Sequence, residues 1–311
     1  MVGNKKISVS IITGFLGAGK TTFINHLLKN YAKVHFALVE NEFGDVAIDS
    51  KLIKGVEASQ MFELKEGCIC CTINDEFELV LQELAERFPN VEHLLIETTG
   101  VADPASVIRP FFRDENLQEI YSFQGTVCLV DALNFEKDGE KELKNKQVAI
   151  ADFILISKSE KMSSAEKDSL KNKISQLNPL CEIHFAEFGN SPHFKLEDVT
   201  FQPKFYPDFP QHKTNHIKIS TKTLTFSAPL NRVEFVYWLS YTLDVYKNEI
   251  YRVKGILCFD NEPFEYILQG VGGSFEIVES EQFVDGSFKS KIVLMGKLNG
   301  VEINTDIIEN S

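Results

Sequence analysis

No apolar run in this sequence approaches the ~20 residues needed to span a bilayer. The N-terminal stretch with the outline of a signal peptide, Lys5-Lys6 followed by Ile7–Thr13, breaks at once into a glycine-rich loop. A secretory segment does not do that. The expectation is a cytoplasmic protein with no membrane partner. Basic stripes are missing as well. The net charge is −13, whereas chains that track nucleic-acid phosphates concentrate Lys and Arg along one face. This argues against nucleic acid as a partner. There is no internal repeat and no low-complexity tract. Histidine-rich tracts are also absent: His184, His193, His212 and His216 are scattered and read as surface or capping residues rather than ligands. The paired C-x₂-C spacing of a closed structural zinc site does not occur.

What is present is more specific. From residue 7 to about 186 the chain alternates β-branched runs with amphipathic stretches. Ile7–Thr13, Val34–Glu40, Val91–Thr98, Thr126–Asp131, Phe153–Ser157 and Glu182–Ala186 read as strands, with helices such as Thr21–Asn30, Asp75–Phe88 and Ala165–Gln176 between them. Near-continuous apolar strands separated by helices predict an α/β fold, a parallel sheet with helices on both faces. Prolines 192, 203, 207 and 210 then interrupt the pattern. The expected organisation is a first domain over 1–190, a linker over 191–213 and a smaller α+β domain over 214–311. In the latter, a strand near His216–Thr223 and an apolar helix, Asn231–Tyr246, precede strand-like runs expected to pair antiparallel. The apolar Phe235–Leu239 segment is suited to docking a client, a second protomer or the first domain.

Gly14-Phe15-Leu16-Gly17-Ala18-Gly19-Lys20-Thr21 fits the pattern G-x-x-x-x-G-K-[ST] between the first strand and the first helix, the context that pattern requires. Glycines such as Gly14, Gly17 and Gly19, with Ala18, let successive backbone N–H groups turn inward on phosphates. Lys20 supplies a point charge, Thr21 a hydroxyl for Mg²⁺, and the helix its positive end. Downstream, Leu94–Gly100 reads as a strand that ends in a magnesium-holding carboxylate, Glu97, and a γ-phosphate-sensing glycine, Gly100. The loop Ser157-Lys158-Ser159-Glu160 occupies the place of the guanine-reading Asn-Lys-x-Asp loop. Lys158 would lie along the purine and Glu160 would accept the guanine N1 and N2 hydrogens, with Ser157 as a shorter donor than asparagine. GTP and GDP are the expected nucleotides, and adenine is the competing base.

Of six cysteines, three lie in Gly67-Cys68-Ile69-Cys70-Cys71. Adjacent thiols at 70 and 71 are awkward disulfide partners, and three thiols this close between polar neighbours can converge on one soft cation. Packing as small apolar residues and redox chemistry are the alternatives. A fourth ligand must come from elsewhere, and a carboxylate between Glu40 and Asp45 is available. Cys128 and Cys258 lie in apolar strands and read as core.

Together these segments resemble the CobW family of P-loop GTPases, relatives of the nickel-inserting urease and hydrogenase maturation GTPases. The resemblance is carried by Gly14–Thr22, Glu40–Gly44, Gly67–Cys71, Glu97–Gly100, Ala102-Asp103-Pro104, Val130-Asp131-Ala132, Tyr251–Gly255 and Gln269-Gly270-Val271. It implies a GTPase domain with a small C-terminal domain, phosphate contacts extending to Thr22, and slow GTP hydrolysis. It also implies ligation of zinc, or of cobalt or nickel, by Cys68, Cys70, Cys71 and Glu40, for delivery to a metal-requiring client protein. A homodimer is compatible with it. The Ser-Lys-Ser-Glu base loop departs from the family pattern. Two competing readings are a non-hydrolysing nucleotide sensor that regulates through metal, and an ATP-dependent kinase or ligase. Substitution Lys20→Ala is expected to abolish nucleotide binding and to leave zinc stoichiometry near normal in equilibrium dialysis. Loss of zinc from that variant would show that the two sites are not separable.

Overall fold

The computed structural model describes residues 5–40, 74–137, 139–199, 219–284 and 289–309. The chain divides into two compact units, Met1–Phe201 and Gln202–Ser311. The first holds strands β1 (Ile7–Gly14), β2 (Phe36–Glu40), β3 (His93–Glu97), β4 (Tyr121–Asp131), β5 (Phe153–Ser157) and β6 (Glu182–Phe185). They form one sheet in the order β2-β3-β1-β4-β5-β6, and every pair in it is parallel. From β1 the chain runs to the edge strand β2, returns to β3 beside β1, then crosses over β1 to β4 and continues the other way. This reversal beside β1 is where an open parallel sheet leaves room for a ligand beyond its carboxyl edge.

Helices cover both faces, as expected. Helix α1 (Lys20–Asn30) buries Phe23, Ile24, Leu27 and Leu28 against Ile12, Val127, Leu129 and Leu155. The alternate residues of β4, Cys128 and Val130, face the other way and line a cavity with Val148 of the helix Lys141–Ile150. The period of two along β4 assigns each face its own helix layer. Helix α2 (Asn74–Arg87) leads to β3. Between β3 and β4 come three short helices, α3 (Pro104–Ile108), α4 (Pro110–Arg113) and α5 (Glu115–Ile120). Their shortness follows from sequence. Pro104 and Pro110 each sit where a helix begins, and Asp103 and Asp114 cap the backbone N–H groups of Ala105 and Leu117. Helix α6 (Lys141–Ile150) and α7 (Ser164–Leu177) follow, the latter opened by a capping box between Ser163 and Glu166.

Residues 191–199 fall in the stretch expected as a linker, and they pack on α1. Phe194 meets Phe23 edge-on at 5.2 Å and Phe153 at 6.1 Å, while the Leu196 N–H donates to the Tyr31 hydroxyl at 2.8 Å. Pro192 therefore lies within the first unit, and the rest of the expected linker, 200–213, lies outside the described residues.

The second unit is a five-stranded sheet in the order β10-β9-β8-β11-β7. Its strands, β7 (Ser220–Phe226), β8 (Ile250–Leu257), β9 (Phe264–Val271), β10 (Ser274–Phe283) and β11 (Ser290–Gly296), pair antiparallel throughout. Helix α8 (Arg232–Val245) opens on Asn231, whose side chain accepts from the Val233 and Glu234 N–H groups. Phe235, Trp238 and Leu239 of α8 are buried with Val253, Leu257, Leu268 and Leu294 of the sheet. The apolar run read as a docking segment is therefore largely core of this unit. The last helix, α9, spans Asp306–Glu309. Cys128 and Cys258 are both buried, and burial pushes each thiol up to about 12. As expected from their strands, they are inert core residues.

His93 sits inside the first sheet, with Nε2 3.0 Å from the Ser10 hydroxyl and the Phe36 ring 5.6 Å away. Burial lowers its pKa from 6.5 to about 4. A histidine kept neutral by the fold binds its proton more readily unfolded. The stability it contributes is therefore full above about pH 6.5 and is lost as pH falls toward 4. Urea unfolding of the first unit should lose about 2 kcal/mol between pH 7 and pH 5 through this group alone. The substitution His93→Gln should flatten that dependence, and an unchanged slope in the variant would refute it.

Candidate functional site

At the carboxyl edge of β1 the chain turns through Gly17 and Gly19 with φ of 72° and 99°. L-residues with a Cβ rarely adopt that region. Gly19, in left-handed conformation, is the N-cap of α1 and makes no side-chain cap, which leaves the first N–H groups of the helix directed outward. Lys20, the first helical residue, is buried and donates from Nζ to the Gly14 carbonyl at 3.1 Å. Its ammonium is thus held at the mouth of the loop. Thr22, next to Thr21, is exposed on the same turn.

Glu97 ends β3, directly paired with Ile12 of β1. From there its carboxylate reaches the Thr21 hydroxyl, which donates at 3.3 and 3.5 Å to its two oxygens. A hydroxyl and a carboxylate side by side are a hard oxygen donor set and fit magnesium. In the following turn, the Thr99 hydroxyl is buried with no partner among the described residues. Gly100 packs on the loop itself: a Cβ there would lie 2.4 Å from the Leu16 backbone nitrogen. Only glycine permits so close an approach of the two segments.

The base loop after β5 is attached to the same loop. Ser157 donates its hydroxyl to the Ala18 carbonyl at 2.7 Å and lies 3.3 Å from that of Val130. This hydroxyl, expected as a base donor, is engaged in joining two loops. Lys158 adopts φ 58° and forms an ion pair with Asp131 at 2.7 Å. Asp131 also accepts from the Leu133 N–H at 2.9 Å and from Asn134 at 2.8 Å. Burial pushes its carboxyl up, but these three hydrogen bonds outweigh that and hold it below the ordinary range. Glu160 is exposed at the end of the loop.

The structure therefore gathers Gly14 to Thr22, Glu97, Gly100, Ser157 and Lys158 on one edge of one sheet. Cys68, Cys70 and Cys71 lie outside the described residues. Glu40 is described by its backbone, which is paired with Glu97 in the β2–β3 register. Among the described residues there is no group of three metal-ligating side chains. Sequence reasoning missed α6 and what it does for the switch turn. Gln147 donates to the Gly100 and Ala102 carbonyls at 3.2 and 3.3 Å, and Lys146 pairs with Asp103 at 2.7 Å. Lys144 donates to the Asn134 and Lys137 carbonyls and stands 4.8 Å from the centre of the Phe15 ring. The available signal was Asp103, quoted for the resemblance without a partner.

A parallel sheet of this order with a Gly-x-x-x-x-Gly-Lys-Thr loop after its central strand defines a P-loop NTPase fold. The model for the CobW/HypB/UreG nucleotide-binding domain matches residues 8–185, and the model for the cobalamin synthesis protein CobW C-terminal domain matches residues 219–310. The chain belongs to the CobW/HypB/UreG family. It is 32% identical over 305 residues to the zinc chaperone YjiA of Escherichia coli K12, covering 93% of this chain and 94% of the relative. It is 25% identical over 347 residues to the zinc-regulated GTPase metalloprotein activator 1 of Saccharomyces cerevisiae, covering 94% and 80%. The crystal structure of Zn(II)-bound YjiA GTPase from E. coli superimposes with a TM-score of 0.68 at 25% identity, covering 96% of this chain and 99% of that one.

Replacing Ser157 by Ala leaves the Ala18 carbonyl without this donor. An unmade buried hydrogen bond costs about 1–3 kcal/mol. The Ser157→Ala variant should unfold in urea at correspondingly lower concentration and release nucleotide faster in a stopped-flow chase. Parental behaviour in both assays would show that this link is dispensable.

Proposed function

We propose that this chain is a GTP-binding, slowly GTP-hydrolysing metallochaperone that couples nucleotide state to a zinc site at Cys68, Cys70, Cys71 and Glu40. The observation that carries the coupling is the register of β2 and β3. Glu97 touches Thr21 of the phosphate loop and stands beside Glu40 in the sheet. The cysteine segment lies in sequence between these two strands. A change at the γ-phosphate that moves Glu97 therefore has one strand to cross to reach Glu40.

In this reading the backbone N–H groups of Gly14 to Thr22 bind the phosphates, and Lys20 exchanges the Gly14 carbonyl for the β- and γ-oxygens. Thr21 and Glu97 would hold Mg²⁺, which neutralises phosphate charge when bound. Gly100 offers its N–H to the γ-phosphate. Lys158, held by Asp131, lies along the purine, and Glu160 accepts from guanine N1 and N2. Ser157 holds the base loop to the phosphate loop. Hydrolysis transfers the γ-phosphoryl group to water and leaves GDP. Gln147, which touches the switch turn, is buried and spends its amide on the Gly100 and Ala102 carbonyls. With no glutamine among the described residues placed to orient water, intrinsic turnover on the order of 10⁻⁴ to 10⁻² per second follows.

Zinc is the cargo, and thiolates would also take cobalt, nickel or copper. Support for zinc comes from the relatives, whose names describe a zinc chaperone and a zinc-regulated GTPase activator. The receiving partner is a metal-requiring client protein, and the setting is the cytoplasm. Among the described residues no helix is long and apolar enough to cross a membrane.

GTP turnover by the purified chain, with and without one equivalent of zinc, tests this beside the Cys68→Ser, Cys70→Ser, Cys71→Ser triple variant. Zinc should change the rate in the parent and leave the variant's rate alone. Equal responses in both would separate the cysteines from the nucleotide and remove the coupling. Binding of GTP without multiple turnover, even with zinc, would replace a GTPase by a sensor.

A further inference from the structure

One aromatic residue near the nucleotide edge has no packing reason for its place. The Ala186 N–H donates to the Ile156 carbonyl at 2.9 Å. β6 therefore leaves the sheet at the level where β5 runs into Ser157 and Lys158. Glu187 and Asn190 then exchange both backbone hydrogen bonds, at 2.8 and 2.9 Å. The turn they close has Phe188 and Gly189 at its centre, with φ of 49° and 82°. Two positive φ angles are the signature of a tight hairpin turn that favours Asn-Gly or Gly-Gly. A bulky aromatic at the first position is strained. Phe188 does not recover that cost by burial, since it is 78% exposed.

The turn is nevertheless held firmly, and held beside the phosphate loop. A Cβ at Gly189 would lie 2.8 Å from the carbonyl oxygen of Thr22, in the first turn of α1. Phe194 and Leu196 fasten the next residues along the same helix through Phe23 and Tyr31. On the adjacent strand end stands Lys158, also left-handed, with its ammonium in van der Waals reach of the phosphate loop: a Cβ at Gly17 would lie 4.0 Å from it. Strained residues retained beside a binding site, without a packing return, are characteristic of ligand contacts.

We propose that Phe188 is the base-stacking residue of this site, closing on the purine of the bound nucleotide from the β6 turn while Lys158 covers it from the β5 loop. The inference rests on the guanine-nucleotide reading above and adds to it the residue that holds the base. Aromatic stacking is tolerant of base identity. Phe188 therefore contributes affinity for the base, and the choice of guanine stays with Glu160.

The test compares Phe188→Gly and Phe188→Trp with the parent by calorimetry, using GDP, GTP and inorganic tripolyphosphate with magnesium. Glycine is the residue this turn prefers, so Phe188→Gly keeps the backbone and removes only the ring. It should melt at the parental temperature or above, bind both nucleotides roughly 5- to 150-fold more weakly, and bind tripolyphosphate as the parent does. Phe188→Trp should keep near-parental affinity and show fluorescence quenching by GDP beyond the parental change. Parental nucleotide affinity in Phe188→Gly would overturn the proposal. So would a parallel loss of tripolyphosphate binding, which would make the turn a support of the phosphate loop. A parent that binds tripolyphosphate but neither nucleotide would overturn the guanine reading, and this inference with it.

Discussion

The Thr21 hydroxyl against the Glu97 carboxylate is the contact on which the rest of this edge depends. It joins the helix that follows β1 to the end of β3, and it places a hard-oxygen pair where the phosphate loop opens. Around it the same edge is tied in two further places. Gly100 rests on the Leu16 backbone, and Ser157 reaches the Ala18 carbonyl. The phosphate loop is thus touched from both sides, by the turn after β3 and by the loop after β5. In a packed structure such ties transmit small displacements, because each tied segment must move with the next.

The order of strands explains why these segments meet. β1 lies between β3 and β4, so the loops that follow β1 and β3 emerge as neighbours. β5 follows β4 outward, and the side chain of Ser157 at its end reaches the loop after β1. The outermost pair, β2 and β3, brings Glu40 beside Glu97. The proposed coupling of metal to nucleotide uses only this adjacency and the sequence position of the cysteine segment.

Much of this was legible in the sequence. The strands of the first unit stand out as largely apolar runs, of which β1, β3 and β5 are buried almost throughout, and β5 is found where expected, at Phe153–Ser157. The antiparallel sheet of the second unit was equally readable from its closely spaced runs. Three features were not. Helices α3 to α5 are too short for a 3.6-residue period to show, and their boundaries are set by two prolines and two aspartate caps. Helix α6 carries Lys144 and Gln147 on its buried side, so its inward face looks polar in sequence even though it packs on the sheet. Residues 191–199 looked like a linker because proline dispersed the periodicity, yet Phe194 and Leu196 dock on α1 through an aromatic edge and a single hydroxyl. In the site, the roles of whole motifs were visible, while pairings across the fold were not. Nothing in the sequence says that Lys158 and Asp131 form an ion pair or that the Ser157 hydroxyl is engaged by Ala18.

Coupling between the two sites, as proposed, is a free energy shared by both ligands. Values of this kind are typically about 1–3 kcal/mol, or 5- to 150-fold in affinity. The most direct measurement is the zinc affinity of the full chain, by competition with a chromophoric chelator, saturated either with GDP or with a non-hydrolysable GTP analogue. The account predicts that the two zinc affinities differ by at least about fivefold, and that zinc shifts the affinity for the analogue relative to GDP by the same factor. Identical zinc affinities in the two nucleotide states would contradict it, and would leave a nucleotide site and a metal site that merely share one chain.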